Sequence, residues 1–273
     1  MRDPEASFGC QTFTWEMLGD AWTGGPDDLV AAIAAAGYTG IEITDRMIGA
    51  YADRPTAFAR RLEDAGLALV AFAFGSDGGF TEPAHAATDL EAARRWTGFA
   101  AQLPGAVVSM GSATLMSEGP RADCFAVAAD IYNAAAEIGQ AAGVAVALHP
   151  SSHHNTLLWD RADYDAIFAR LDPAVGWVPD TGHILRGGQV LADTLAAHRA
   201  RIRYVHLKDV DAGGAWAMLG AGVCDIAGTI AAVRDAPAFT GWIVVEEESQ
   251  AAAADPAGAV RRNRQTLRDL GIG

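Results

Sequence analysis

Cysteine is scarce. There are three in 273 residues (Cys10, Cys124 and Cys224), and no two form a CxxC pair. An odd, scattered set excludes a disulfide framework and a cysteine-ligated zinc site. Cys10 and Cys224 are expected as buried small hydrophobes. Basic residues are also few: 20 Lys and Arg against 34 Asp and Glu, for a net charge of −14. Gripping a phosphate backbone takes a basic face that neutralises phosphates and releases counterions, so no nucleic-acid partner is expected. Long apolar runs are absent. The longest, near 67–74, is far short of the roughly 20 residues a spanning helix needs. The opening MRDPEAS lacks the apolar stretch of a signal peptide. The expectation is a cytoplasmic protein with no membrane partner. Eleven prolines and 30 glycines in a chain that is 51% hydrophobic exclude collagen-like and disordered classes.

Two kinds of segment alternate. Short apolar runs rich in β-branched and aromatic residues predict strands at 7–13, 40–44, 67–74, 106–110, 144–149, 175–180, 202–208 and 241–246. Ala-rich stretches with charges at helical spacing predict helices near 26–36, 54–65, 86–103, 122–142, 161–171, 188–200, 225–235 and 254–269. Asp27, Asp28, Thr56, Asp123, Asp160 and Asp225 stand where short polar side chains cap helix starts. The strands are apolar nearly throughout, as parallel strands covered on both faces should be. Strict alternation of strand and helix means a parallel sheet. Eight units favour a closed (β/α)8 TIM barrel, an α/β fold, over a doubly wound open sheet. No strand is followed by GxGxxG or GxxxxGK[ST], so the usual nucleotide-binding sheets lose their signature. No domain boundary is visible, and residues 1–273 read as a single barrel domain.

Barrel active sites form at the C-terminal ends of the strands, so the residue that ends each run matters. The fifth to eighth runs end in His149, Asp180, His206 and Glu246, at intervals of 31, 26 and 40 residues. Any one of them alone reads equally well as a cap or a solvent-facing residue. Four consecutive strand ends of ligand type instead suggest a metal centre. Two imidazoles and two carboxylates suit a divalent ion of the Mn, Zn, Co or Fe class, with Mg disfavoured.

Strand alternation puts Tyr204, His206 and Lys208 on one face, so Lys208 is either a mouth residue or a surface lysine. His153 and His154 follow the fifth strand, either holding substrate or serving as base, or simply solvated. Glu42 ends the second strand, to bind a substrate hydroxyl or cap a turn. Glu247 is expected to face the helices and Glu248 the mouth. Trp15, Trp177 and Trp216 read as core before substrate platforms, and Gln11 carries no usable signal.

The stretches VGWVPDTGHILRGG, IRYVHLKDVD, LGAGVCD and GWIVVEEE, with GYTGIEI nearer the start, resemble the xylose isomerase-like barrel superfamily. HLKDV with DTGH is most similar to its inosose dehydratase and sugar phosphate isomerase branch. The resemblance implies metal ligation by Asp180, His206 and Glu246, and substrate contact by His183. Two positions depart from the epimerases. They carry Glu where this chain has His149, and Arg where it has Ala212. LHPSSHHNT resembles a His-rich form of that loop near the dehydratase branch.

The implied chemistry is a metal ion acting as Lewis acid on a ketone oxygen while a base takes the adjacent proton to give an enediolate. The expected enzyme acts on a small polyhydroxylated keto compound, either a keto sugar or an inosose, with dehydration favoured. Its catalytic candidates are Glu246, His149, Lys208 and His153. Its substrate-binding candidates are His183, His154 and Glu42. A ketose isomerase or 3-epimerase is the alternative. An apurinic endonuclease-like repair enzyme and a non-catalytic sugar-binding barrel are lesser ones. A homo-oligomer is compatible with all of them.

Overall fold

A computed structural model describes residues 6–153 and 155–272. The elements run β1 (Ser7–Gln11), α1 (Phe13–Glu16), α2 (Pro26–Ala36), β2 (Gly40–Thr44), α3 (Pro55–Asp64), β3 (Ala68–Phe74), α4 (Ala86–Ala100), β4 (Val107–Met110), α5 (Arg121–Ala142) and β5 (Val146–Leu148). They continue α6 (Arg161–Phe168), β6 (Gly176–Trp177), α7 (Thr181–Arg186), α8 (Leu191–Ala197), β7 (Val205–Leu207), β8 (Asp209–Val210), β9 (Trp216–Ala217), α9 (Ile226–Val233), β10 (Trp242–Val245), α10 (Gln250–Ala254) and α11 (Pro256–Asp269). Eight parallel strands lie in the order β6-β5-β4-β3-β2-β1-β10-β7. The ring closes between β6 and β7 through the Trp177–Ile202 and Asp180–His206 bridges. There Arg203 N–H donates to Trp177 O and His206 N–H to Pro179 O, both at 2.9 Å. The fold is the expected (β/α)8 barrel.

Alternation along the strands separates two cores. Val70, Val107, Val178, Tyr204 and Val244 fill the barrel interior. Residues of the opposite parity, such as Ile41, Ile43, Val205 and Ile243, pack under the helices. Phe72 stacks on Trp96 at 4.4 Å between ring centroids in this outer layer. Truncating so buried an aromatic costs roughly 3–5 kcal/mol.

The run 7–13 is a strand only over Ser7–Gln11, since Phe13 opens α1, and the structure departs from the sequence reading in four further places. The run 175–180 is a strand only at Gly176–Trp177, because Pro179 has no N–H to donate and Asp180 serves instead as N-cap of α7. The helix expected at 188–200 is preceded by α7, with Gly187 and a left-handed Gly188 (φ +68°) between α7 and α8. An antiparallel hairpin, β8–β9, follows β7. Of the expected caps, Asp160 and Asp225 accept from Asp163 N–H at 3.0 Å and Gly228 N–H at 2.8 Å, and Asp28 closes a box with Gly25 N–H at 2.8 Å. Asp123 sits in the first turn of α5 behind Pro120, Thr56 lies inside α3, and Asp27 accepts from Arg61. No helix among the described residues is long and apolar enough to cross a membrane.

Candidate metal centre

Four neighbouring strands deliver the site. His149 and Glu246 follow β5 and β10 directly, His206 lies in β7, and Asp180 precedes α7. One ligand atom from each falls within 4.8 Å of all the others. Asp180 Oδ2 stands 3.7 Å from His149 Nε2 and 3.8 Å from His206 Nδ1. His206 Nδ1 is 2.8 Å from Glu246 Oε2, but the pair is not aligned as a hydrogen bond. His149 Nε2, Asp180 Oδ2 and His206 Nδ1 are buried and find no hydrogen-bond partner among the described residues. An orphaned buried polar group costs about 1–3 kcal/mol, so three converging on one point call for a common partner. A divalent cation fits both this geometry and the donor set.

The ligand orientation is fixed from behind. Glu42, fully buried in the middle of β2 and not at its end, faces His206 Nε2 through Oε2 at 2.6 Å. Its Oε1 accepts from Gln11 Nε2 at 3.0 Å, and Gln11 Oε1 accepts from Phe13 N–H at 3.0 Å. A carboxylate on the far nitrogen of a histidine sets its tautomer and aims the near nitrogen. Glu42, expected to bind a substrate hydroxyl or cap a turn, lines the cavity and has both oxygens engaged by protein groups. Burial alone would lower the His206 pKa, but Glu42 and Glu246 reverse this and raise it to about 10. Asp180 is the opposite case: burial alone would raise it, yet His183, Lys208 and His149 hold it well below the usual carboxylate range.

Lys208 is buried inside the mouth and is no surface lysine. Its Nζ donates to Glu246 Oε1 at 2.8 Å and to Glu248 Oε1, and lies 4.2 Å from the Trp216 ring centroid. Burial alone would lower its pKa; Glu246, Glu248 and Asp180 outweigh this and raise it. Glu248 is pushed up to about 7, by burial first and then by Glu246, against Lys208. His153 Nε2 lies 3.7 Å from Glu248 Oε1. Burial and then Lys208 lower His153 to about 4. Trp216, expected as core, is half-buried in the hairpin at the mouth. Trp15 and Trp177 are core. Glu247 faces the helices, accepting from Asn263 Nδ2 of α11 at 2.7 Å. His183 is buried, and its Nδ1 accepts from Ser152 N–H at 2.9 Å. His154 lies outside the described residues. A cavity of about 370 Å³ opens over the centre, lined by His149, His153, His183 and Glu246 on one side and Glu16, Thr44, Asp45 and Arg46 on the other.

Residues 30–270 match the xylose isomerase-like TIM barrel family. The chain belongs to that family. An inosose dehydratase of Geobacillus thermodenitrificans (strain NG80-2) is 29% identical over 159 residues, 51% of this chain and 52% of that protein. The chain thus spans about half the length of that relative. The fold is similar to a crystal structure of the IOLI protein with a bound zinc atom, at a TM-score of 0.77 and 14% identity over 96% of each chain. It is likewise similar to a structure of L-ribulose 3-epimerase, at a TM-score of 0.76 and 21% identity over 98% of this chain and 94% of that one.

Proposed function

We propose that this xylose isomerase-like barrel is a divalent-metal-dependent lyase that removes water from a small polyhydroxylated keto compound of the inosose or keto-sugar type. The observation that carries the reading is the convergence of three unpartnered, buried ligand atoms under a cavity that also holds acid and base groups. The name of the dehydratase relative supports the substrate class. His149, Asp180, His206 and Glu246 would hold the ion, which when bound supplies Lewis acidity to a substrate carbonyl.

The protein groups then divide the proton work. His153 lines the cavity and is neutral near pH 7, because its pKa lies at about 4. It takes the proton from the carbon beside the carbonyl. Glu248, with an oxygen 3.7 Å from His153 Nε2, steadies the imidazolium that forms. His153 then returns the proton to the β-hydroxyl, which leaves as water while the carbon–carbon double bond forms. Lys208 keeps its own proton and holds Glu246 and Glu248 in place. One face suffices for this elimination. Epimerisation needs a second proton carrier on the opposite face, and His149 stands where epimerases have Glu.

The test is incubation of metal-loaded protein with a panel of keto sugars and inososes in D2O, read by mass spectrometry and NMR. Loss of one water is expected, with His153→Gln abolishing it while metal is retained. An isomer of unchanged mass, deuterated beside the carbonyl, would favour the isomerase or epimerase reading. Binding without exchange or water loss would favour a non-catalytic barrel.

A further inference from the structure

Three glutamates run in succession after β10, and the fold sends them different ways. Glu246 reaches the four-ligand centre, and Lys208 Nζ bridges Glu246 and Glu248 in the mouth. Glu247, between them, points the other way toward α11, as alternation along an extended chain requires. Both of its oxygens are held. Ser249 N–H donates to Oε1 and Asn263 Nδ2 donates to Oε2, each at 2.7 Å. Asn263 is fully buried in α11. Its amide fits only one way round, because a backbone N–H can only donate, and Leu219 N–H donates to Asn263 Oδ1 at 3.1 Å. Leu219 adjoins Gly220, whose N–H is held by Asp209. One side chain thus fastens the segment that carries Trp216 to the glutamate triplet.

We infer that Asn263 is a positioning residue that, by anchoring Glu247 among the helices, selects which two of three identical side chains enter the mouth. The glutamates themselves cannot make that choice, since each is chemically the same. Turning the triplet by one residue would bring Glu247 in alone, withdraw Glu246 from the centre and strip Lys208 of both carboxylates. It would also leave Asn263 Nδ2 and Ser249 N–H buried without partners, the costly half of breaking a hydrogen bond. Asn263 touches neither the centre nor the cavity; it acts through Glu247 and the chain. The metal side of this inference rests on the proposed function; the orientation of the triplet does not.

The bond can be reversed without changing shape. Asn263→Asp sets two carboxylates face to face, and Glu247→Gln sets two donors together whichever way its amide turns. With both changes, the new carboxylate accepts from Leu219 N–H and from the new amide, whose oxygen still accepts from Ser249 N–H. The full chain is titrated with Co2+, with affinity read by competition with a chelating dye and ligand geometry by visible absorption. Each single variant is expected to bind about tenfold more weakly, at the low end for groups that support metal ligands, with a shifted absorption band. The double variant should recover both. Single variants that bind as wild type, whatever their stability, or a double variant no better than they are, would overturn the inference. If a single variant does not fold, the double variant decides alone: wild-type affinity supports the inference and weakened affinity overturns it. A wild type that takes up no ion would sink the metal reading instead. The triplet is then read from the 15N signal of the Lys208 ammonium, expected to move in both single variants and return in the double; a signal that stays put in the single variants, or fails to return, overturns the inference.

Discussion

Glu42 and His206 are 164 positions apart, yet their contact sets what His206 can do. Both nitrogens of the ring are committed, one to Glu42 and the other toward the centre. Loss of such a supporting carboxylate typically weakens metal binding about 10–100-fold. Glu42→Ala is expected to fall in that range when measured by competition with a chelating dye, and an unchanged affinity would contradict the positioning role. The four strand-end ligand types could be read from sequence because a polar residue ending an apolar run stands out locally. The Gln11–Glu42–His206 chain could not, because it depends on strand register between β1 and β2 and on contact across the barrel. Glu16 on the cavity wall was missed for the same reason. Burial raises its carboxyl above the ordinary value, with Thr44 and Arg46 pulling the other way. The folded protein therefore binds that proton more tightly than the unfolded chain. Its contribution to stability is greatest below the ordinary carboxylate range and is lost as pH rises through the raised folded value. Glu16→Gln removes that loss. Its Tm relative to wild type should climb as pH rises from acid to neutral; a flat or falling difference would contradict the account.

The segment after β7 shows how an element is held by one side chain. Asp209 Oδ1 accepts from Val210 and Cys224 N–H at 2.9 Å, and Oδ2 from Gly220 and Gly222 N–H at 3.0 Å. This ties the hairpin to the LGAGVCD stretch and so holds Trp216 over Lys208. The glycines follow from it: Gly220 is left-handed at φ +79°, and a Cβ on Gly222 would run into Val210 O. Asp209→Ala strands four amides, and urea unfolding should show a loss of about 3 kcal/mol, with a smaller loss for Asp209→Asn. A loss under ~0.5 kcal/mol, typical of surface changes, would mean that the clamp does not form. In sequence, HLKDVD offered His206 and Lys208 and a family resemblance, but nothing in it marked Asp209 as a clamp. Two-residue strands carry no period to detect, and the clamp is made of backbone amides that composition does not mark. The α7 helix was hidden likewise, since six residues are too few for a 3.6-residue period.

At the scale of the whole molecule, the alternation of strand and helix and the lack of a phosphate-binding loop were enough to expect a barrel. They could not say how it closes. The ring is joined between β6 and β7 by bridges alone, and Asp180 and His206 are themselves bridge partners across that seam. The ligand set thus spans the place where the barrel closes, so an ion held there would tie the seam as well as serve the cavity. All of this depends on the four residues sharing one ion. The most direct measurement is elemental analysis of protein purified without chelator, for wild type and His206→Ala side by side. The account predicts close to one divalent transition ion per chain in the wild type and little in the variant; a variant that keeps the wild-type metal content would place the ion elsewhere and contradict it.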